Sequence, residues 1–131
     1  MEVRTRIAVR WRDLDMLGHL NQSVYHEFLE EARAAFFHEV RTGAWEAFVL
    51  ARVELDYKHE VRRDHGHVDV VVRLERVGRS SVTVAHDVLL PDGTLAASGS
   101  SVLVGWDAQE RRSRPFADEE RERLNAALAA V

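Results

Sequence analysis

The chain has 131 residues, 46% of them hydrophobic, and a net charge of −4, which suits one domain with a real core and leaves no length for a second. The acidic balance argues against broad nucleic-acid binding, which needs a basic face, and the absence of cysteine excludes disulfides, cysteine-based zinc sites and thiol nucleophiles. No apolar run reaches membrane-spanning length, and Met1-Glu2-Val3-Arg4 leads into a strand pattern rather than a signal peptide, so a soluble, cytoplasmic protein with no membrane span is expected.

Val3, Thr5, Ile7, Val9 and Trp11 alternate with Arg4, Arg6, Arg10 and Arg12, the period of a strand with one buried face. The arginines then lie on the other face, solvated or paired with acids of a neighbouring strand. From Ser23 to about Arg41 the apolar positions Val24, Tyr25, Phe28, Leu29, Ala32, Ala35, Phe36, Phe37 and Val40 recur at helical spacing over a wide arc, so this helix should be largely wrapped by sheet. Asn21, Gln22 or Ser23 can cap its start, and Thr42-Gly43 gives a stop signal.

Strand patterns follow over Val49 to Tyr57, Val68 to Leu74, Val82 to Val88 and Leu95 to Trp106. Gly78-Arg79-Ser80 and Pro91-Asp92-Gly93 supply turns between neighbouring runs. After Pro115-Phe116, residues Ala117 to Ala130 read as a short, charged helix. One strand, a long helix and then four antiparallel strands predict an α+β fold, an antiparallel sheet wrapped around a long central helix, as one domain over residues 1–131.

Chemistry concentrates between the first strand and the helix, in the run from Arg10 to Tyr25. Asp15 stands just ahead of a helix N-terminus. The free backbone N–H groups at such an end can polarise a carbonyl, and a nearby carboxylate can attack it or activate water. Taken without the rest of the run, Asp15 reads more readily as a turn or capping residue, and the full motif reverses that preference. Asp13 suits holding the loop, and His19 and Asn21 suit local hydrogen bonding, although an imidazole can also shuttle protons. Glu30, Glu31 and Arg33 interrupt the apolar helix, and at least one should face inward; an internal ion pair between an acid and Arg33 is expected.

This stretch resembles the hotdog-fold thioesterases of the 4-hydroxybenzoyl-CoA thioesterase type. Their signature, roughly D-x-D-x-x-G-H-x-N-N-x-x-Y followed by E-x-A-R, is matched by Asp13, Asp15, Gly18, His19, Asn21, Tyr25, Glu30, Ala32 and Arg33, with Gln22 in place of the second Asn. The likeness continues through Tyr57-Lys58, Asp64, Gly78-Arg79-Ser80-Ser81 and Asp92-Gly93. It implies a hotdog fold, a catalytic Asp15 acting as nucleophile or general base, and the backbone N–H of Gln22 as carbonyl polariser. It also implies substrate binding by the hairpin of Arg79, Ser80 and Ser81 beside pantetheine. Asn21, Tyr25 and Lys58 are further candidate substrate contacts. Other hotdog thioesterases take their carboxylate from the helix, which makes Glu30 the reserve catalytic candidate.

The expected activity is hydrolysis of an acyl-CoA or acyl-carrier-protein thioester by carboxylate catalysis, without a cofactor. The rivals are a hotdog 3-hydroxyacyl-thioester dehydratase or hydratase, which would need a histidine paired with a carboxylate, and a non-catalytic acyl-thioester-binding module. His65-Gly66-His67, with His59 nearby, lacks the ligand pattern of a metal site and reads as a loop. No Gly-x-Ser-x-Gly elbow, P-loop or dinucleotide fingerprint is present. A homodimer or homotetramer with active sites built across two subunits is expected, because a small sheet on one helix leaves edges and apolar area for another copy to cover.

Overall fold

A computed structural model describes residues 1–40 and 48–130. Strand β1 (Glu2–Ala8) leads through a 3-10 turn (Trp11–Asp13) to helix α1 (Gln22–Val40), and strands β2 (Phe48–Tyr57), β3 (His67–Val77), β4 (Ser81–Leu89) and β5 (Leu95–Asp107) follow. A two-residue strand β6 (Arg112–Ser113) and helix α2 (Asp118–Ala129) end the described chain. The expected stop signal Thr42-Gly43 lies outside the described residues.

The main sheet runs β1-β3-β4-β5-β2, and every pairing in it is antiparallel. Because side chains alternate across a strand, this register sorts the sheet into two faces. Val68, Val70, Val72, Val82, Val84 and Val88 belong to the core cluster that also contains Tyr25, Phe28, Leu29, Ala32, Phe36 and Phe37 of α1. Leu124 and Ala127 bring α2 into that same cluster. The wide apolar arc of α1 is thus covered, as its sequence demanded, and this is the hotdog arrangement. Bulges at Leu50/Arg52, Leu74/Arg76 and Val88/Leu89 add local twist and let the sheet curl.

On the outer face the arginines of β1 find an acid on the adjacent strand: Arg4 and Arg6 both reach Asp69 at 3.1 Å. Burial opposes the charge of Asp69, but hydrogen bonds from Arg6 and Arg4 outweigh it and hold the carboxyl below its ordinary value. Gly99 has no room for a side chain, since a Cβ there would lie 1.9 Å from the Glu54 carbonyl oxygen of β2. Trp11 departs from the expected strand. It is 76% exposed, because the chain leaves the sheet after Ala8 and turns where Asp13 bonds back to Arg10.

Candidate active site

The loop between β1 and α1 is pinned at its base by Asp13. This carboxylate is 1% exposed and accepts hydrogen bonds from the Arg10 backbone N–H at 2.7 Å and the Arg10 guanidinium at 2.9 Å. Burial would raise its pKa, but the Arg10 hydrogen bonds prevail and hold it below the usual carboxylate value. The Asp13 carbonyl accepts from the Asn21 N–H at 2.8 Å, and the Leu20 N–H donates to the Val61 carbonyl at 2.7 Å. The expectation that Asp13 holds the loop agrees with this geometry.

Within that frame, residues 15–19 form a tight turn. The Asp15 N–H donates to the His19 carbonyl at 2.8 Å, and Gly18 takes a φ of 77°, a conformation that favours glycine. Asp15 Oδ1 accepts from the Leu17 N–H at 2.9 Å and the His19 N–H at 3.1 Å. Both the capping and the chemical readings of Asp15 therefore have a place: Oδ1 braces the turn, and Oδ2 receives no hydrogen bond among the described residues.

Asn21 is the cap of α1, its Oδ1 accepting from the Ser23 N–H and the Ser23 hydroxyl, each at 3.1 Å. Gln22 is the first helical residue, so its N–H has no intrahelical acceptor. Asp15, His19, Gln22, Tyr25 and Lys58 line one cavity of about 390 Å3 with Tyr57, His59, Glu60 and Val61. Asn21 lies instead on the neighbouring face with Trp11 and Met16. Tyr25 packs edge-on against Tyr57 with ring centroids 5.1 Å apart, and burial, assisted by Tyr57, pushes its hydroxyl up to about 12.

Glu60 was not singled out in the sequence, yet it lines this cavity. His19 Nε2 lies 2.6 Å from one carboxylate oxygen of Glu60, and Arg62 donates to the other at 2.8 Å. The Arg62 hydrogen bond, with His19 nearby, holds the Glu60 carboxyl below its ordinary value. The only sequence signal was a polar run, Lys58-His59-Glu60, directly after a strand. Beyond it, the run expected as a loop is instead split: His65 ends a 3-10 turn (Arg63–His65), its Nδ1 accepting from the Arg62 N–H at 2.8 Å, and His67 begins β3.

Arg79 and Ser80 do not join this cavity within one chain. They line another, of about 490 Å3, with Arg112 and Arg114, and Ser81 begins β4 beside them. Tyr57 pairs with Ala97 and Ser81 with Val104, so the two sites lie apart by the length of β5 from Ala97 to Val104, about 23 Å.

Glu30 and Glu31 are exposed, and the expected ion pair with Arg33 is not formed among the described residues. Arg33 does turn inward, but its Nη1 donates to the Ser101 hydroxyl at 3.2 Å, and that hydroxyl lies 2.9 Å from His86 Nε2. The helix leaves Glu30 on its outer side, while β5 offers Ser101 directly beneath Arg33.

Residues 9–124 match the family model described as the thioesterase-like superfamily. The fold is shared with a thioesterase from Thermus thermophilus solved with coenzyme A and zinc, which is 37% identical with a TM-score of 0.86, covering 98% of this chain and 95% of that one. The long-chain acyl-CoA thioesterase FadM of Escherichia coli K12 is 28% identical over 129 residues, 93% of this chain and 96% of FadM. A DHNA-CoA thioesterase from Staphylococcus aureus, 17% identical, has the same fold at a TM-score of 0.85 over 98% of this chain and 91% of its own. Fold and family together define a thioester hydrolase of the hotdog class. The chain belongs to the thioesterase-like superfamily.

Proposed function

We propose that the chain hydrolyses acyl-CoA or acyl-carrier-protein thioesters with Asp15 as the catalytic carboxylate. The observation that carries this reading is the placement of Asp15 across one cavity from the first turn of α1, with Oδ1 committed to the turn and Oδ2 unengaged among the described residues. A thioester carbonyl seated there directs its oxygen to the Gln22 N–H, where the developing oxyanion is stabilised by an amide already in place. Asp15 then either adds to the carbonyl carbon, giving a mixed anhydride that water opens, or takes the proton of a water that adds instead. In both routes the C–S bond breaks and thiolate departs, so no strong general acid is required. Glu30, exposed and on a different cavity, stands as the reserve carboxylate.

The site is completed by a second copy. Strand β2 is an edge of the sheet and exposes Val49, Leu50 and Tyr57. If two β2 edges pair antiparallel about a twofold axis, the Phe48 end of one copy meets the Tyr57 end of the other. The Arg79-Ser80-Ser81 hairpin, which lies at the Phe48 end, then comes beside the partner's Asp15 cavity. The pantetheine-binding role of this hairpin and the catalytic role of Asp15 become compatible only in such an assembly. Light scattering during size exclusion should give a dimer or tetramer, and a fully active monomer would refute the shared site.

One observation favours a second reading. His19 and Glu60 form the histidine–carboxylate pair that a hydratase acting on a 3-hydroxyacyl thioester requires, and both line the Asp15 cavity. A panel of acyl-CoAs separates the readings: a hydrolase releases free thiol steadily, a hydratase changes absorbance without thiol, and a binding module does neither.

A further inference from the structure

Beneath the middle of α1 lies a second cavity, of about 340 Å3, whose walls are largely apolar: Phe37, Phe48, Leu50 and Leu103, with Ala34. Its two charged lining residues differ sharply. Glu30 is exposed at the rim, whereas Arg33 is 8% exposed and belongs to the floor. Arg33 donates one N–H to Ser101, and Ser101 and His86 behind it are both 0% exposed.

This buried chain of three side chains holds one cation and no anion. Ser101 is neutral, and burial together with the charge of Arg33 lowers His86 to about 4, so the imidazole is neutral as well. Glu30, one turn earlier on the helix, favours the charged guanidinium from a distance but forms no ion pair with it among the described residues. A guanidinium taken out of water is costly unless an anion compensates it, and this one keeps most of its N–H donors uncommitted among the described residues.

We infer that this cavity is a subsite for a carboxylate at the far end of the substrate's acyl group, with Arg33 as the residue that reads it. The planar guanidinium fork matches the two oxygens of a carboxylate, and the apolar walls accept the methylenes that precede it. A phosphate would need donors beyond one guanidinium, and the described lining offers none. A neutral carbonyl would leave the charge uncompensated. The subsite rests on the thioester reading for its substrate, and the proposed β2 pairing sets its Phe48–Leu50 wall beside the partner's Asp15 cavity.

The test uses two non-hydrolysable CoA thioethers of equal chain length, one ending in a carboxylate and one in a methyl, over a series of lengths. Calorimetry on the full-length protein should show the carboxylate form binding tighter by about tenfold or more at the matching length, because a buried charged donor discriminates strongly against a ligand lacking its partner. Arg33→Gln should abolish that preference while changing the methyl form by less than about threefold. Ala34→Phe, which fills the cavity without touching the charge, should abolish it too and carries the test if Arg33→Gln fails to fold. Absence of any carboxylate preference in the wild-type protein, or its survival in either folded variant, overturns the subsite. Carboxylate preference without thiol release from any thioester would leave the subsite standing and refute hydrolysis, and thiol release without the preference would do the reverse.

Discussion

Two polar regions lie along α1, and they are built on opposite plans. At the helix start most polar groups find partners nearby in sequence, Arg10 with Asp13, Asp15 with Leu17 and His19, and Asn21 with Ser23, and His19 alone of these reaches across to Glu60. Under the middle of the helix, Arg33 reaches Ser101 across 68 positions and Ser101 meets His86 across 15. The first region is half open to water, and Oδ2 of Asp15 receives no hydrogen bond among the described residues. The second is buried, so the charge of His86 depends on its neighbour Arg33. An exposed, locally braced carboxylate suits chemistry, whereas a desolvated cation suits recognition.

The sharpest way to break this contrast is Asp15→Asn. Asparagine Oδ1 can still accept from Leu17 and His19, so the turn should persist while thiol release falls by about two orders of magnitude or more. Near-wild-type turnover by the folded variant would sink the assignment, and a matching loss in Glu30→Gln would move the carboxylate to the helix. Next in size, Arg79→Ala should raise KM for acyl-CoA by about tenfold with little change in kcat, because a contact remote from the reacting carbon supports ground and transition states alike. A truncated N-acetylcysteamine thioester should feel that change less; equal effects on both substrates would place Arg79 at the reacting centre or in the scaffold.

The buried region is probed by pH. His86 ordinarily titrates near 6.5 and in the fold near 4, so between these values the unfolded chain binds more protons and acid favours unfolding. Its contribution is complete above about 6.5 and is lost as pH falls toward 4. The slope from this one group is at most about 1.4 kcal/mol per pH unit. His86→Gln should flatten that limb of urea-unfolding stability against pH, and an unchanged slope would show that other groups govern it.

The same division explains what could be read from the sequence. The periods of α1 and the strands, the turn signals, and Asp15 beside the helix start are encoded over a few residues, and each appears in the fold. Trp11 broke the pattern because alternation says nothing about a turn made by a carboxylate gripping a backbone N–H three residues back. Glu30 and Glu31 looked like natural partners for Arg33 along the helix, but the sheet supplied a hydroxyl instead. Glu60 and the separation of Arg79 from Asp15 both depend on which strand ends lie side by side, and that follows from sheet order, which no local period specifies.

The two rims of the sheet are armed differently. Along β1, Arg4 and Arg6 stand exposed, both paired with Asp69 of β3. Along β2, Val49, Leu50 and Tyr57 are exposed beside the Arg52–Glu54 ion pair. A sheet with two inviting rims can grow without limit into a filament, while a sheet with one can recruit a single mate and then stop. Under the proposed pairing of two β2 edges, the charged β1 rim is left unused, so the same sheet offers another copy one apolar edge and not two.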